Sequence, residues 1–437
     1  MRMSFRKVAL TCVTAALAAT ALAGCSSTSK AASGNKTLEV TYWNYGPAAE
    51  AGNKQIADAF MAAHAGVTIT LTPVSGENWG TYYANVATLI ASGKHPDLMV
   101  ISGEGAQFVH ANNLVLPINK YLAKDADGKA IQADTAKGLI DGFTVKGDIV
   151  TLTYGWNDMV VYYNTALFKK AGIDPPSASW TWDDFKAIAK KLTVDTNGDG
   201  KPDQYGFTWA SNEIFPGIMP WVANADGNLT SADVCKPTAD TPQVTKAVSF
   251  LEDMIKENIA PAPMPMSDVF TRFQNGQIAM FGAGRWPIAT FLPKFKDFDI
   301  QLYPKGDTYK TVFGGAGYPI LKSSKNPDLA WEYQKFTVSA ASEQQYVGTA
   351  DKPGDSIPSL RSVSQTISKV GVPPANSDLF YNSIDKYPTL VPYPAPAKYS
   401  AFESTVLRNL QLIFAGEKSV PDGLKSMQSD LGSIVTC

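Results

Sequence analysis

Oxygen-bearing side chains recur at alternate positions in the segment DTNGDGKPDQYGF: Asp195, Asn197 and Asp199, with Asp203 beyond Gly200. Hard divalent cations are held by such oxygens. A calcium loop opens in this way, with ligands at its first, third, fifth, seventh and ninth positions. The bidentate carboxylate expected at the twelfth position is missing, because Gly206 stands there. Two readings stay open. Asp195, Asn197, Asp199 and Asp203 hold a structural calcium completed by a carboxylate from elsewhere in the chain, or they form an Asx-rich turn ahead of YGFTW. No cofactor is otherwise required.

Other reactive residue types give little. His64, His95 and His110 have no zinc-site spacing. No complete phosphate-binding loop, dinucleotide fingerprint or nucleophile elbow occurs. Asp183 and Asp184 sit side by side at a helix start, where they complement the dipole. The expectation is therefore a protein that is not an enzyme. Two carboxyls converging from distant parts of the chain would make a glycosidase, so an exported glycoside hydrolase is the enzymatic alternative.

The aromatic residues are more informative. Tyr45, Trp79, Trp156, Trp221 and Trp286 fall at strand ends or turns, beside Glu104, Asn157, Asp158 and Arg285. A pyranose has flat patches of C–H and a rim of hydroxyls. Indole and phenol rings cover the patches, and polar side chains pair the hydroxyls once water is excluded.

The first residues carry Arg2, Arg6 and Lys7, then an apolar run from Val8 to Ala23. This is the layout of a secretory signal over residues 1–24. It ends in Leu22-Ala23-Gly24-Cys25, which resembles a bacterial lipobox, so Cys25 is expected to take a lipid. Residues 25–36 are small and polar, a flexible tether. Export places the chain in an oxidising compartment, where Cys235 and Cys437 are most simply a disulfide; two unpaired thiols are the alternative. The chain is 45% hydrophobic and 18% charged with net charge −2, a composition that gives no electrostatic footprint for nucleic acid.

These residues must be positioned by alternating strands and helices. LEVTYW, VTITLTPV and PDLMVIS read as strands, separated by two amphipathic helical segments. That order argues for an α/β layer with a largely parallel sheet. A second unit follows, with DIVTLTYG, MVVYYN, YGFTW and QIAMFGAG as strands, and FDIQLYPKG leads back to GYPILKSS and the helical segment NPDLAWEYQKFTVS. TWDDFKAIAKKL opens on a capping pattern, Thr181 and Asp184. The tail from Ser400 is mainly helical.

Five segments in order, MVVYYNTALFKKAGI, TWDDFKAIAKKLT, DTNGDGKPDQYGF, FQNGQIAMFGAGRW and FGGAGYPILKSSKNPDLAWEYQKF, resemble the extracellular solute-binding proteins of ATP-binding-cassette importers, in the sugar-binding family that includes the maltose-binding protein. The resemblance implies a type II periplasmic-binding-protein-like fold: two α/β lobes joined by hinge segments, with a ligand cleft between. Lobe one is expected over residues 37–152 and 304–350, and lobe two over 153–303 and 351–437. The resemblance raises Trp156, Trp221 and Trp286 as cleft residues. It adds Gly314 and Gly315, where backbone can approach a ligand, and Arg361. The partners implied are a sugar and the permease subunits of a transporter. The expected state is a monomer, exported and lipid-anchored at the outer face of the cytoplasmic membrane. The alternative ligand on the same fold is a peptide or polyamine.

Overall fold

The computed structural model describes residues 36–292, 294–386, 390–393 and 395–437. The signal segment, Cys25 and the tether up to Asn35 lie outside the described residues.

The strand Lys36–Asn44 lies between Val67–Ser75 and Leu98–Met99, parallel to both. The helices Pro47–Ala63 and Trp79–Ala91 make the two crossovers. Strand residues Leu38, Val40 and Tyr42 point to one buried face at period two. Ile56, Ala57 and Phe60 cover that core from the first helix. Asn78 caps the second helix by accepting from Thr81 N–H at 2.8 Å. This is the parallel layer that the alternation of segments implies.

The second sheet differs from that expectation. Phe298–Leu302, Val160–Asn164 and Met280–Ala283 pair antiparallel, with Val160–Asn164 in the centre. YGFTW forms no extended strand; Tyr205 and Thr208 make single bridges to Ile278 and Phe281. The reason lies in packing. Phe207 and Trp209 are buried in an aromatic core with Phe185, Trp221 and Phe414, and that burial fixes the segment without a full ladder. The helix Trp182–Leu192 has the reciprocal capping box of Thr181 and Asp184. Trp182 and Trp331 are core residues.

Between these two sheets lies a third. Thr153–Asp158 and Thr311–Gly317 pair antiparallel, Ile357–Pro358 pairs on the other side of Thr153–Asp158, and Leu390–Pro392 and Ile101–Ser102 pair with Thr311–Gly317. Three distant parts of the chain thus run side by side where the two α/β parts meet. The helices Tyr399–Phe414 and Val420–Leu431 pack on each other and on Pro242–Lys256. No described helix is long and apolar enough to cross a membrane.

Candidate functional site

The central sheet positions the site. Gly314 and Gly315 stand opposite Asn157 and Trp156. The Gly315 carbonyl accepts from Gly103 N–H at 2.9 Å, which brings Glu104 to the same place. A cavity of about 20 Å³ results, lined by Gly103, Glu104, Phe143, Gly314, Gly315 and Tyr393, among others. That is room for about one water.

The polar groups here are under-paired. Glu104 is 3% exposed, yet its Oε2 has no hydrogen-bond partner. Tyr393 is 5% exposed, and its hydroxyl has none either. Each such group costs about 1–3 kcal/mol of lost hydration. Glu403 is buried beside them and accepts from Tyr399 Oη and Gly80 N–H, both at 2.9 Å. Burial pushes the Glu403 carboxyl up to about 7, against the pull of those donors. Burial, then the neighbouring carboxylates of Glu403 and Glu104, push Glu213 up to about 8. Burial also raises Glu104, opposed by the Ser102 hydroxyl and its own backbone.

The residues expected from the sequence take several places. Glu104, Gly314 and Gly315 come together at the cavity. Gly314 lies against the Phe215 ring, 3.2 Å from where a Cβ would stand. Trp79 stacks with Tyr83 at 5.8 Å and lies 4.4 Å from Trp43, centroid to centroid. Tyr45 is 57% exposed and donates to Asp355 at 2.9 Å. Trp286 is half-buried and lies over Gly284, so near that a Cβ there would stand 2.3 Å from the indole.

The others are engaged in structure. Trp221 is fully buried among Trp182, Phe185, Phe207, Phe250 and Tyr303; it fills a core where the sequence suggested a platform. Trp156 is 3% exposed and donates to the Pro358 carbonyl at 3.1 Å. Asn157 accepts from Arg285 N–H at 2.7 Å. The Arg285 guanidinium donates to the carbonyls of Tyr346, Val347 and Ser356, and burial lowers it to about 10. It clamps a connecting segment. Asp158, by contrast, is buried near Ser383 with neither carboxylate oxygen hydrogen-bonded, and burial pushes it up to about 7. Arg361 donates to the Thr135 carbonyl at 3.3 Å.

Sequence reasoning missed Glu213, Glu403, Tyr393 and Tyr399. A signal for Glu403 existed: Tyr399, Phe402, Glu403, Val406 and Leu410 form the buried stripe of one helix, so an acid occupies a core position. Nothing in SNEIFPG marks Glu213.

The loop at Asp195 folds on itself. Asp195 accepts from Gly198 and Gly200 N–H at 2.7 and 2.8 Å, Asn197 from Asp199 N–H at 2.8 Å, and Asp199 from Lys201 N–H at 2.8 Å. Asp203 accepts from Thr196 N–H at 2.8 Å. Gly206 is obligatory, since a Cβ would lie 1.9 Å from the Ala189 carbonyl. No side chain could close a calcium loop from that position. Among the described residues no group of three or more His, Cys, Asp or Glu is placed to hold a metal ion.

Cys235 and Cys437 are bridged, with Cα atoms 4.7 Å apart. Gln428 fastens the same loop, accepting from Ala239 N–H at 2.7 Å and donating to the Pro237 carbonyl at 2.9 Å. A larger open depression, about 370 Å³, lies at Asp226, Asn228, Thr230, Gln243 and Lys310. Its two charges, Asp226 and Lys310, pair with each other.

Two α/β parts, a three-stranded crossing and an under-paired polar cavity at the crossing define a two-lobed binding protein. The chain belongs to the bacterial extracellular solute-binding protein family, whose model matches residues 55–372. Its fold is the type II periplasmic-binding-protein-like fold of two α/β lobes. An ABC substrate-binding protein of Listeria monocytogenes, in complex with cycloalternan, is similar in structure, with TM-score 0.78 and 20% identity over 91% of this chain and 99% of that one. A solute-binding protein of Thermotoga lettingae bound with alpha-D-tagatose gives TM-score 0.76 and 20% identity, over 92% and 100%. The sn-glycerol-3-phosphate-binding periplasmic protein UgpB of Pectobacterium atrosepticum is 25% identical over 286 residues, 61% of each chain. The family and these neighbours are binding proteins, and the family name implies export.

Proposed function

We propose that this protein captures a mono- or oligosaccharide between its lobes and delivers it to the permease of an ABC transporter. The observation that carries the reading is the pair of unpaired, buried polar groups, Glu104 Oε2 and Tyr393 Oη, at one cavity walled by Phe143, Phe313 and glycine backbone. Hydroxyls pair such groups, and rings and glycines admit a flat sugar face. Solved neighbours bound to cycloalternan and to tagatose support the class. The glycerol phosphate of UgpB fits less well. A phosphate calls for cations, whereas this cavity presents the carboxyl of Glu104.

In this reading the lobes divide near residues 152, 303 and 350, and Thr153–Asp158, Thr311–Gly317 and Ile357–Pro358 serve as the crossing strands. Trp286 is the platform from lobe two and Glu104 the hydroxyl reader from lobe one. Lipid on Cys25 holds the protein at the outer face of the cytoplasmic membrane, where a monomer meets its permease. Calorimetry against a sugar panel tests the reading. It expects at least one ligand at micromolar Kd, about −8 kcal/mol, and compaction by small-angle scattering as the lobes close. Binding of a peptide or polyamine in place of every sugar would leave the fold and remove the substrate class.

A further inference from the structure

We propose that the open depression at Thr230 is a second binding site, which takes a neutral polyhydroxylated solute about the size of one sugar ring. It is additional to the cleft and does not rest on what the cleft holds.

The depression measures about 370 Å³, within the range of about 300–1,000 Å³ that small-molecule sites occupy. Asp226, Asn228, Thr230, Thr241, Gln243 and Lys310 line it. Pro392 lines both this depression and the cavity at Gly314, so the two are neighbours. The charges select against ions. Asp226 pairs with Lys310, so an anion meets the carboxylate and a cation meets the ammonium. A neutral ligand meets neither penalty. Its hydroxyls donate to the one group and accept from the other, and each also suits the amides of Asn228 and Gln243.

The wall holds hydrogen-bonding groups that the fold leaves over. Thr230 is 2% exposed, and its hydroxyl has no partner. A buried hydroxyl in that state is destabilising until something pairs it. A second set of donors lies at the start of the helix Pro242–Lys256. Thr241 stands at its N-cap, yet its side chain does not cap it. The first N–H groups of a helix have no partner within the helix, and ligand oxygens can accept from them.

This wall is also preformed. The Thr230 backbone bridges Pro237 across a tight hairpin. Thr238 Oγ1 donates to the Asn228 carbonyl at 2.6 Å, and Thr238 N–H to the Leu229 carbonyl at 3.0 Å. In the same hairpin Val234 has φ 58°, a left-handed conformation that is an outlier for a β-branched residue. Such strain persists only where the surroundings impose it. The bridge from Cys235 to Cys437 and the two hydrogen bonds of Gln428 to Pro237 and Ala239 do so. A wall fixed in this way need not be ordered when a solute arrives, which favours binding.

The test is saturation-transfer NMR on the purified protein with glycerol, sorbitol, myo-inositol and glucose as probes, each titrated for its Kd. At least one should bind with Kd of about 1 mM or tighter. The bound probes are then titrated on three variants, with circular dichroism to show that the fold is kept. Gln243→Ala removes an exposed amide. Thr230→Val keeps the shape of the side chain and removes its hydroxyl. Both should raise Kd fivefold or more for the same probe. Trp286→Ala, in the cleft, should change that Kd by less than twofold. No binding by any probe overturns the proposal. So does binding that is lost in Trp286→Ala and unchanged in Gln243→Ala and Thr230→Val, because the solute then sits in the cleft. Inorganic phosphate that displaces the probe at lower concentration overturns the neutral class of ligand.

Discussion

The carboxylate of Glu403 accepts a hydrogen bond from the backbone N–H of Gly80 at 2.9 Å, across 323 positions of sequence. Gly80 lies in the first turn of Trp79–Ala91, where N–H groups lack helical partners and the dipole favours an anion. Beside it, Asn78 donates to the Asn212 carbonyl at 2.9 Å and Asn212 to the Glu77 carbonyl at 3.4 Å. The start of one helix thus joins two distant segments of the chain, as a latch between them.

The latch leaves no room for a side chain. A Cβ at position 80 would stand 2.6 Å from Glu403 Oε2. Gly80→Ala should therefore break the contact and shift the protein toward an open form. The loss of a charged hydrogen bond of about 1.5–3 kcal/mol should weaken ligand binding and enlarge the radius of gyration in scattering. An unchanged radius would show that the lobes are held elsewhere.

Stability should rise as pH falls from about 8 toward 5. Burial raises Asp158 and Glu403 to about 7, and Glu213 and Glu343 to about 8. The folded state then binds more protons than the unfolded state, so stability is full below the ordinary carboxylate range and lost as pH rises through 7 to 8. At low pH, Asp184, Asp203 and Asp430, lowered in the fold by hydrogen bonds, reverse the trend. Thermal melts should show an optimum near pH 5, and Asp158→Asn should flatten the decline above it. A melting temperature that climbs between pH 6 and 8 would contradict the buried acids.

Binding should test the two proposed ligand contacts separately. Trp286→Ala should cost about 1–3 kcal/mol of ligand affinity, the scale of one large apolar side chain, with the fold intact. Glu104→Gln keeps volume and removes charge, and should lower affinity about tenfold, the scale of one hydrogen bond to a charged group. Normal binding by both variants would move the site away from the cavity at Gly314.

How much of this was legible beforehand depended on the kind of signal. The parallel layer was readable because Leu38, Val40, Ile56 and Phe60 keep the periods of a strand and a helix over long segments. The capping box at Thr181 was readable because both partners lie three residues apart. YGFTW was misread as a strand because its apolar alternation reflects burial of Phe207 and Trp209 against helices, and sequence periodicity does not say what covers a face. Trp221 misled for the same reason: an indole suits a sugar platform and a core equally. The pairing of Glu403 with Gly80 was not legible, since the two meet only through tertiary contact.

The calcium question has a direct answer in solution. The loop oxygens are engaged by their own backbone N–H groups, so a chelator should leave the melting temperature unchanged at fixed pH and salt. A drop on chelation that Asp199→Ala abolishes would show a bound cation.

Reducing the bridge between Cys235 and Cys437 should lower stability by about 2–4 kcal/mol. Mass spectrometry after alkylation, with and without reductant, should count one bridge. Two thiols alkylated without reductant would refute it. Cys25→Ser should release the protein from the membrane fraction and remove lipid labelling.

The bridge has a mechanical meaning as well. It joins positions 202 apart, and two of the three crossing strands, Thr311–Gly317 and Ile357–Pro358, lie inside the ring. A tension applied between residue 36 and residue 437 can lengthen only the part outside it. The oxidised protein should pay out roughly 3.3–3.6 Å for each of about 200 residues, and the reduced protein about twice that length. Single-molecule pulling would read the difference directly, as a contour hidden in the oxidised chain and released by reductant.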